Sequence, residues 1–190
     1  QMDWPALRAA VAGCTACKLC SSRRNPVFGV GNEQARWMIV GEAPDEQEDR
    51  KGEPFVGPAG KLLDNMLAAI GLTRSEAPPE RQVFIANVLK CRPPQNRNPQ
   101  PEEIAQCEHY LKRQIELAQP RIILAMGRFA VQSLLQSQDA IGRLRGRVHR
   151  YRDIPVIVTY PPAYLLRNLP DKARSWEDLC LALDTFRQQG

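Results

Sequence analysis

The chain has 190 residues, 43% of them apolar, enough to bury a core and too many for a disordered chain. No run of about 18 apolar residues is present, so no membrane span is expected, and Gln1 to Ala10 do not form a basic-then-apolar export signal, so the chain reads as cytoplasmic. A formal charge of +5 is a mild bias toward polyanions and equally fits an ordinary basic protein.

In chain order, Trp37–Val40 is the first short, β-branched apolar run. Leu62, Leu63, Met66, Leu67 and Ile70 then form a helical stripe, with Gly71 placed to close it. Val83–Val88 is a second apolar run. Pro101–Ala118 is a helix opened by the acidic pair Glu102 and Glu103, which suits the positive end of the helix dipole. Ile122–Ala125 is a third run and Phe129–Leu135 a third helix. Arg143, Arg145, Arg147, Arg150 and Arg152 crowd the next segment, a patch that suits a phosphate backbone. Val156–Thr159 is the fourth run, and Ser175–Phe186 a last helix with Trp176, Leu179, Cys180 and Leu183 on one face.

The four runs lack polar alternation, as parallel strands covered on both faces should. Strands alternating with helices predict an α/β three-layer sandwich around a central four-stranded parallel sheet. Residues 1–190 read as a single domain, and no heptad or long apolar edge argues against a monomer. Ligands of such sheets bind beyond the carboxyl ends of the strands. The residues that follow the four strands are Gly41-Glu42-Ala43-Pro44-Asp45, then Asn87 and Lys90-Cys91-Arg92-Pro93-Pro94, then Met126-Gly127-Arg128, then Tyr160-Pro161-Pro162-Ala163-Tyr164-Leu165-Leu166-Arg167. The chemically unusual residues therefore collect at one sheet edge.

Six cysteines in a chain read as cytoplasmic point to metal, catalysis or packing rather than to disulfides. Cys14 and Cys17 form a C-x₂-C pair, and Cys91 and Cys107 are separated by fifteen intervening residues. Four thiolates suit a [4Fe–4S] cluster, with structural zinc as the alternative. Cys17-x₂-Cys20 is an equally spaced pair, so the first two ligands stay open on spacing. Cys180 reads as core packing.

Cys14-x₂-Cys17, Val40-Gly41-Glu42-Ala43-Pro44, Glu53-Pro54-Phe55-Val56-Gly57, Asn87-Val88-Leu89-Lys90-Cys91-Arg92-Pro93-Pro94 and Leu165-Leu166-Arg167 occur in that order. The combination resembles the iron–sulfur, family-four (thermophile-type) uracil-DNA glycosylases, from about Cys14 to Leu183. The resemblance implies a uracil-DNA glycosylase-like fold, excision of uracil from DNA as a repair step, and a [4Fe–4S] cluster on Cys14, Cys17, Cys91 and Cys107. It also implies that a flipped uracil stacks on Phe55 and is read by Asn87, whose amide offers a donor and an acceptor. Backbone N–H groups of Glu42 and Ala43, next to Gly41, would bind the anionic leaving base. The Glu42 carboxylate would position a water or stabilise the sugar cation. Leu165, Leu166 and Arg167 would fill the hole in the stack. Glu48 and Asp49 either brace the loop or are solvated, the latter expected for Asp49.

Two positions depart from the family pattern. Asp45 stands where a glycine is usual and adds a negative charge near the anion. Pro161 stands where the family has the histidine that donates to uracil O2, and proline has no donor. Weakened or altered excision is the expectation, since loss of one such donor costs about 10²–10³ in rate. The alternative is a non-catalytic iron–sulfur module that binds uracil, a lesion or single-stranded DNA. His109 and His149 are the remaining histidines, and neither is placed by sequence to substitute.

Overall fold

In the computed structural model, which describes residues 1–189, the apolar runs form β2 (Trp37–Gly41), β3 (Val83–Asn87), β4 (Ile122–Met126) and β6 (Ile154–Thr159). Every residue of β2, β3 and β4 is buried. Among the described residues the sheet is mixed and six-stranded, in the order β1 (Val30–Gly31), β3, β2, β4, β6, β5 (His149–Tyr151). β3, β2, β4 and β6 pair in parallel. The strands added to the four expected are β1 (Val30–Gly31), antiparallel to β3, and β5 (His149–Tyr151), antiparallel to β6. They are two and three residues long, too short for any hydrophobic period to mark them.

Alternate residues of the strands feed two cores. Met38, Val40, Phe84, Ala86, Ile123 and Ala125 face one side. There they meet α1 (Trp4–Ala12), α4 (Pro101–Ala118) and α5 (Arg128–Leu135). Trp37, Ile39, Val83, Ile85, Ile122 and Leu124 face the other side, against α3 (Gly57–Ala69) and α8 (Lys172–Gln188). Burial on both faces explains why these strands read as continuous apolar runs.

The helix ends follow local chemistry. α4 begins at Pro101, and Gln100 and Glu103 form a reciprocal cap reinforced by two Arg97 N–H groups donating to the Glu103 carboxylate. Gly71, with φ +83°, turns the chain after α3. Three short helices, α2 (Glu46–Lys51), α6 (Ile141–Leu144) and α7 (Pro162–Arg167), lie in segments to which the sequence assigned no element. The inward face of α8 also differs from the expected one: Ser175, Asp178, Leu179 and Ala182 are buried, Trp176 is exposed and Cys180 is half-buried. Ser175 and Asp178 are drawn inward by Thr159 at the end of β6, whose hydroxyl lies 2.9 Å from Ser175 Oγ and donates to Asp178 Oδ2 at 2.7 Å.

Among the described residues no helix is long and apolar enough to cross a membrane.

Candidate active site and cysteine cavity

The carboxyl ends of β2 and β3 place Gly41 opposite Asn87 in the sheet register. Phe55, from the loop before α3, comes to the same point. A Cβ on Gly41 would lie 2.4 Å from Asn87 Oδ1 and 2.6 Å from Phe55 Cζ, so only glycine leaves both side chains where they are. Phe55 holds a left-handed φ of +54°. Its loop is clamped by Arg74, which donates to the carbonyls of Pro54 and Phe55, both at 2.6 Å, and to Asp64 at 2.8 Å. Gly60 of α3 packs under the same carbonyl, where a Cβ would lie 1.8 Å from Phe55 O.

Asn87 is 1% exposed. Its Nδ2 donates to Glu48 Oε1 at 3.3 Å, while Oδ1 is buried without a partner. A buried acceptor left unpaired costs roughly 1–3 kcal/mol, so this oxygen is an unfilled acceptor at the point where Gly41 and Phe55 meet.

Glu48 comes from α2, whose six residues are mostly charged. Asp45 caps that helix: its side chain accepts the Glu48 N–H at 3.0 Å, and the Glu48 side chain accepts the Asp45 N–H at 3.4 Å. The charge of Asp45 is therefore engaged by its own helix. Burial, with Asp45 beside it, pushes the Glu48 carboxyl up to about 7, against the N–H donors of Phe55, Asn87 and Asp45. Asp49 is buried and not solvated. It accepts the N–H groups of Arg24 and Asn25 at 2.8 and 3.3 Å and so ties α2 to the 24–25 loop.

Glu42 turns the other way, toward β4. Its Oε2 accepts the N–H of Phe129 at 2.8 Å in the first turn of α5. Gly127, at φ +106°, makes room, since a Cβ there would lie 2.5 Å from the Glu42 carboxyl carbon. Burial raises the Glu42 pKa, opposed by the Phe129 N–H and by Arg128.

Pro161 begins α7 in an extended conformation and its carbonyl accepts from Tyr164 and Leu165. Beside it Tyr160 stacks on Tyr164 at 4.9 Å. The three residues expected to form the wedge differ in burial. Leu165 is 1% exposed and packs inward, whereas Leu166 is 41% exposed and Arg167 is free. Consecutive residues of a helix point about 100° apart, so a helical wedge cannot present both leucines. His149 sits in β5 with Nε2 2.7 Å from Leu144 O, and His109 lies on α4 against Tyr110. The arginine segment is not one patch either. Arg145 turns inward to Asp178 and Arg152 pairs with Glu116, which leaves Arg143, Arg147 and Arg150 outward.

Cys14, Cys17, Cys20, Cys91 and Cys107 line one cavity on the α1–α4 side of the sheet. Among the described residues no three potential ligands gather tightly enough for a single ion. Backbone and side-chain donors already face the sulfurs: Arg23 donates to Cys91 at 2.7 Å, the Lys90 N–H to Cys107 at 3.2 Å and the Ala16 N–H to Cys14 at 3.5 Å. Burial holds the Cys91 thiol above its ordinary value and pushes Cys107 up to about 12. Such donors favour thiolates, the form that binds metal. This donor set fits a thiolate-bound group of several atoms. Cys20 faces the same cavity, so position alone does not set it apart.

Sequence reasoning missed Lys90, which is fully buried. Its ammonium donates to Asn87 O at 2.8 Å and to Gln114 Oε1 at 2.7 Å. Arg74 was also missed. Both act on backbone carbonyls or on residues distant in sequence, which leaves no local signal. The Asp45-x-x-Glu48 cap was legible as a helix-start pattern.

A model of the uracil DNA glycosylase superfamily matches residues 28–180. A Type-4 uracil-DNA glycosylase of Archaeoglobus fulgidus is 47% identical over 164 residues, 82% of this chain and 79% of the relative. One of Thermotoga maritima is 41% identical over 184 residues, 95% of this chain and 93% of the relative. A Type-5 uracil-DNA glycosylase of Thermus thermophilus is 33% identical over 136 residues, 67% of this chain and 60% of the relative.

Proposed function

The chain belongs to the uracil-DNA glycosylase superfamily, and from that premise we propose that it removes uracil from DNA by hydrolysing the glycosidic bond. The observation that carries this is the orphaned Oδ1 of Asn87 at the point where Gly41 and Phe55 meet. A uracil swung out of the helix lies on the Phe55 ring. Its N3–H donates to Asn87 Oδ1, and its O4 accepts the Nδ2 hydrogen not taken by Glu48. Cytosine reverses both groups and meets acceptor with acceptor and donor with donor.

Bond breaking leaves charge on the base and cation character on the sugar. The N–H groups of Glu42 and Ala43 face the base anion in this scheme. With Oε2 of Glu42 held by the start of α5, Oε1 serves to hold the attacking water or to stabilise the sugar. Pro161 supplies no donor to uracil O2, so that share of the stabilisation is missing. Leu166 and Arg167 enter the gap in the duplex, and Leu165 supports them from the core.

Cys14, Cys17, Cys91 and Cys107 are the residues that would hold a [4Fe–4S] cluster. When bound, the group crosslinks the segment after α1, the loop after β3 and α4, and no step of excision passes through it. The two- and three-residue edge strands offer little for another chain to pair with, which supports a monomer on DNA.

Incubation with a single-stranded oligonucleotide carrying one uracil, followed by alkaline cleavage at abasic sites, tests the assignment. The expected result is a break at the uracil that disappears in Asn87→Ala. Tight binding with no break, in the native chain and in Pro161→His alike, would sink it.

A further inference from the structure

Glu48 is a buried carboxylate that the excision chemistry does not use. It is 7% exposed; Oε1 accepts from Asn87 Nδ2, Oε2 accepts from the Asp45 N–H, and the Phe55 N–H also faces the carboxylate. The two orientations of an asparagine amide fill almost the same space and differ in which atom donates. In the observed one Nδ2 faces Glu48, and Oδ1 lies buried beside Gly41 without a partner. Turning the amide over would set Asn87 Oδ1 against a carboxylate oxygen at about the same distance. Two acceptors in contact, with no water between them, repel.

We propose that Glu48 is a specificity-determining positioning residue, which locks the Asn87 amide in the orientation that reads uracil and thereby shuts out cytosine. Given the uracil excision proposed above, discrimination does not reside in Asn87 alone. An unlocked asparagine turns over and pairs with cytosine as readily: Nδ2 then donates to cytosine N3, and Oδ1 accepts from its exocyclic amine. The lock is acceptor-only on both sides. Any group at position 48 that keeps an acceptor toward Asp45 and offers a donor toward Asn87 inverts it.

Glu48→Gln does this without changing volume. The Asp45 N–H calls for the amide oxygen at the Oε2 position, so the amide nitrogen occupies the Oε1 position and requires Oδ1 from Asn87. Initial rates of uracil and cytosine removal from matched single strands would be measured for the native protein and for Glu48→Gln. The expected result is a uracil-to-cytosine rate ratio at least tenfold lower in the variant, with cytosine release rising. Loss of uracil release with no gain for cytosine would overturn the lock and leave Glu48 a merely structural residue. A native protein that releases no uracil would overturn the excision function, and the lock with it.

If Glu48→Gln does not fold, the native protein supplies the test through pH. The titratable group beside Glu48 is Asp45, while Asn87 on β3 and the Phe55 N–H face it with uncharged donors. A protonated Glu48 can donate to Oδ1, so the ratio should fall between pH 8 and pH 5.5. A ratio that stays constant across that range overturns the proposal.

Discussion

Gly41 and Asn87 face each other across the β2–β3 register so closely that one added carbon on Gly41 would fall 2.4 Å from the side-chain Oδ1 of Asn87. The Asn87 amide and the strand end beneath it are therefore a single fitted surface. Gly41→Ala is expected to displace Asn87 and Phe55 together and lower uracil release by about 10²-fold or more, as misplacement by about an ångström does. Thermal unfolding should change far less than the rate. A variant with native rates would show that this contact does not set the pocket.

On the proposed role of Glu42 in bond breaking rather than docking, Glu42→Gln is expected to lower the rate by about 10²–10⁴ while leaving DNA binding intact. Burial raises the pKa of Glu42 above its ordinary 4.5, and the proposed role needs the ionised form. Activity of the native chain should therefore fall with acidification through a value above 4.5. A pH–rate profile on pre-bound DNA checks both the sign and the residue.

Restoring a donor at position 161 should raise turnover. Pro161→His keeps the extended backbone that starts α7 and is expected to accelerate uracil release by about 10²–10³. Equal rates in the two proteins would mean that another group already serves the departing base.

Glu48 should carry a stability cost that grows with pH. Its carboxyl, pushed up to about 7 in the folded protein, keeps a proton that the unfolded chain gives up near 4.5. The favourable share is present below 4.5 and lost as pH rises through 7. Glu48→Gln, which carries no charge, should therefore gain stability relative to the native chain between pH 5 and pH 8, by up to about 3 kcal/mol, read as a melting-temperature difference that widens with pH. A difference independent of pH would place the titration elsewhere.

Cys91→Ser and Cys107→Ser are expected to abolish the visible absorbance of a bound cluster and to loosen the segment after α1, whereas Cys20→Ser keeps both. Colour lost in Cys20→Ser and kept in Cys14→Ser would exchange the two ligands.

The four long strands, α4 and the convergence of Gly41, Phe55 and Asn87 were legible, because each rests on a local apolar run or a short motif. The edge strands were not, being two and three residues whose only partner is a neighbouring strand. α2 has almost no apolar face, so periodicity is silent there, although Asp45 and Glu48 announce its start. Asp49 looked solvated because its partners, Arg24 and Asn25, lie far back in the chain. Leu165 looked like part of the wedge because the motif names three consecutive residues, and only the helix separates them by direction.

Lys90 touches both the Gly41–Asn87 strand end and the cysteine cavity. Its Nζ donates to the backbone carbonyl of Asn87, its own N–H donates to the sulfur of Cys107, and the next residue is Cys91. A shift in how Cys107 is held would therefore reach the backbone of Asn87 through a single residue.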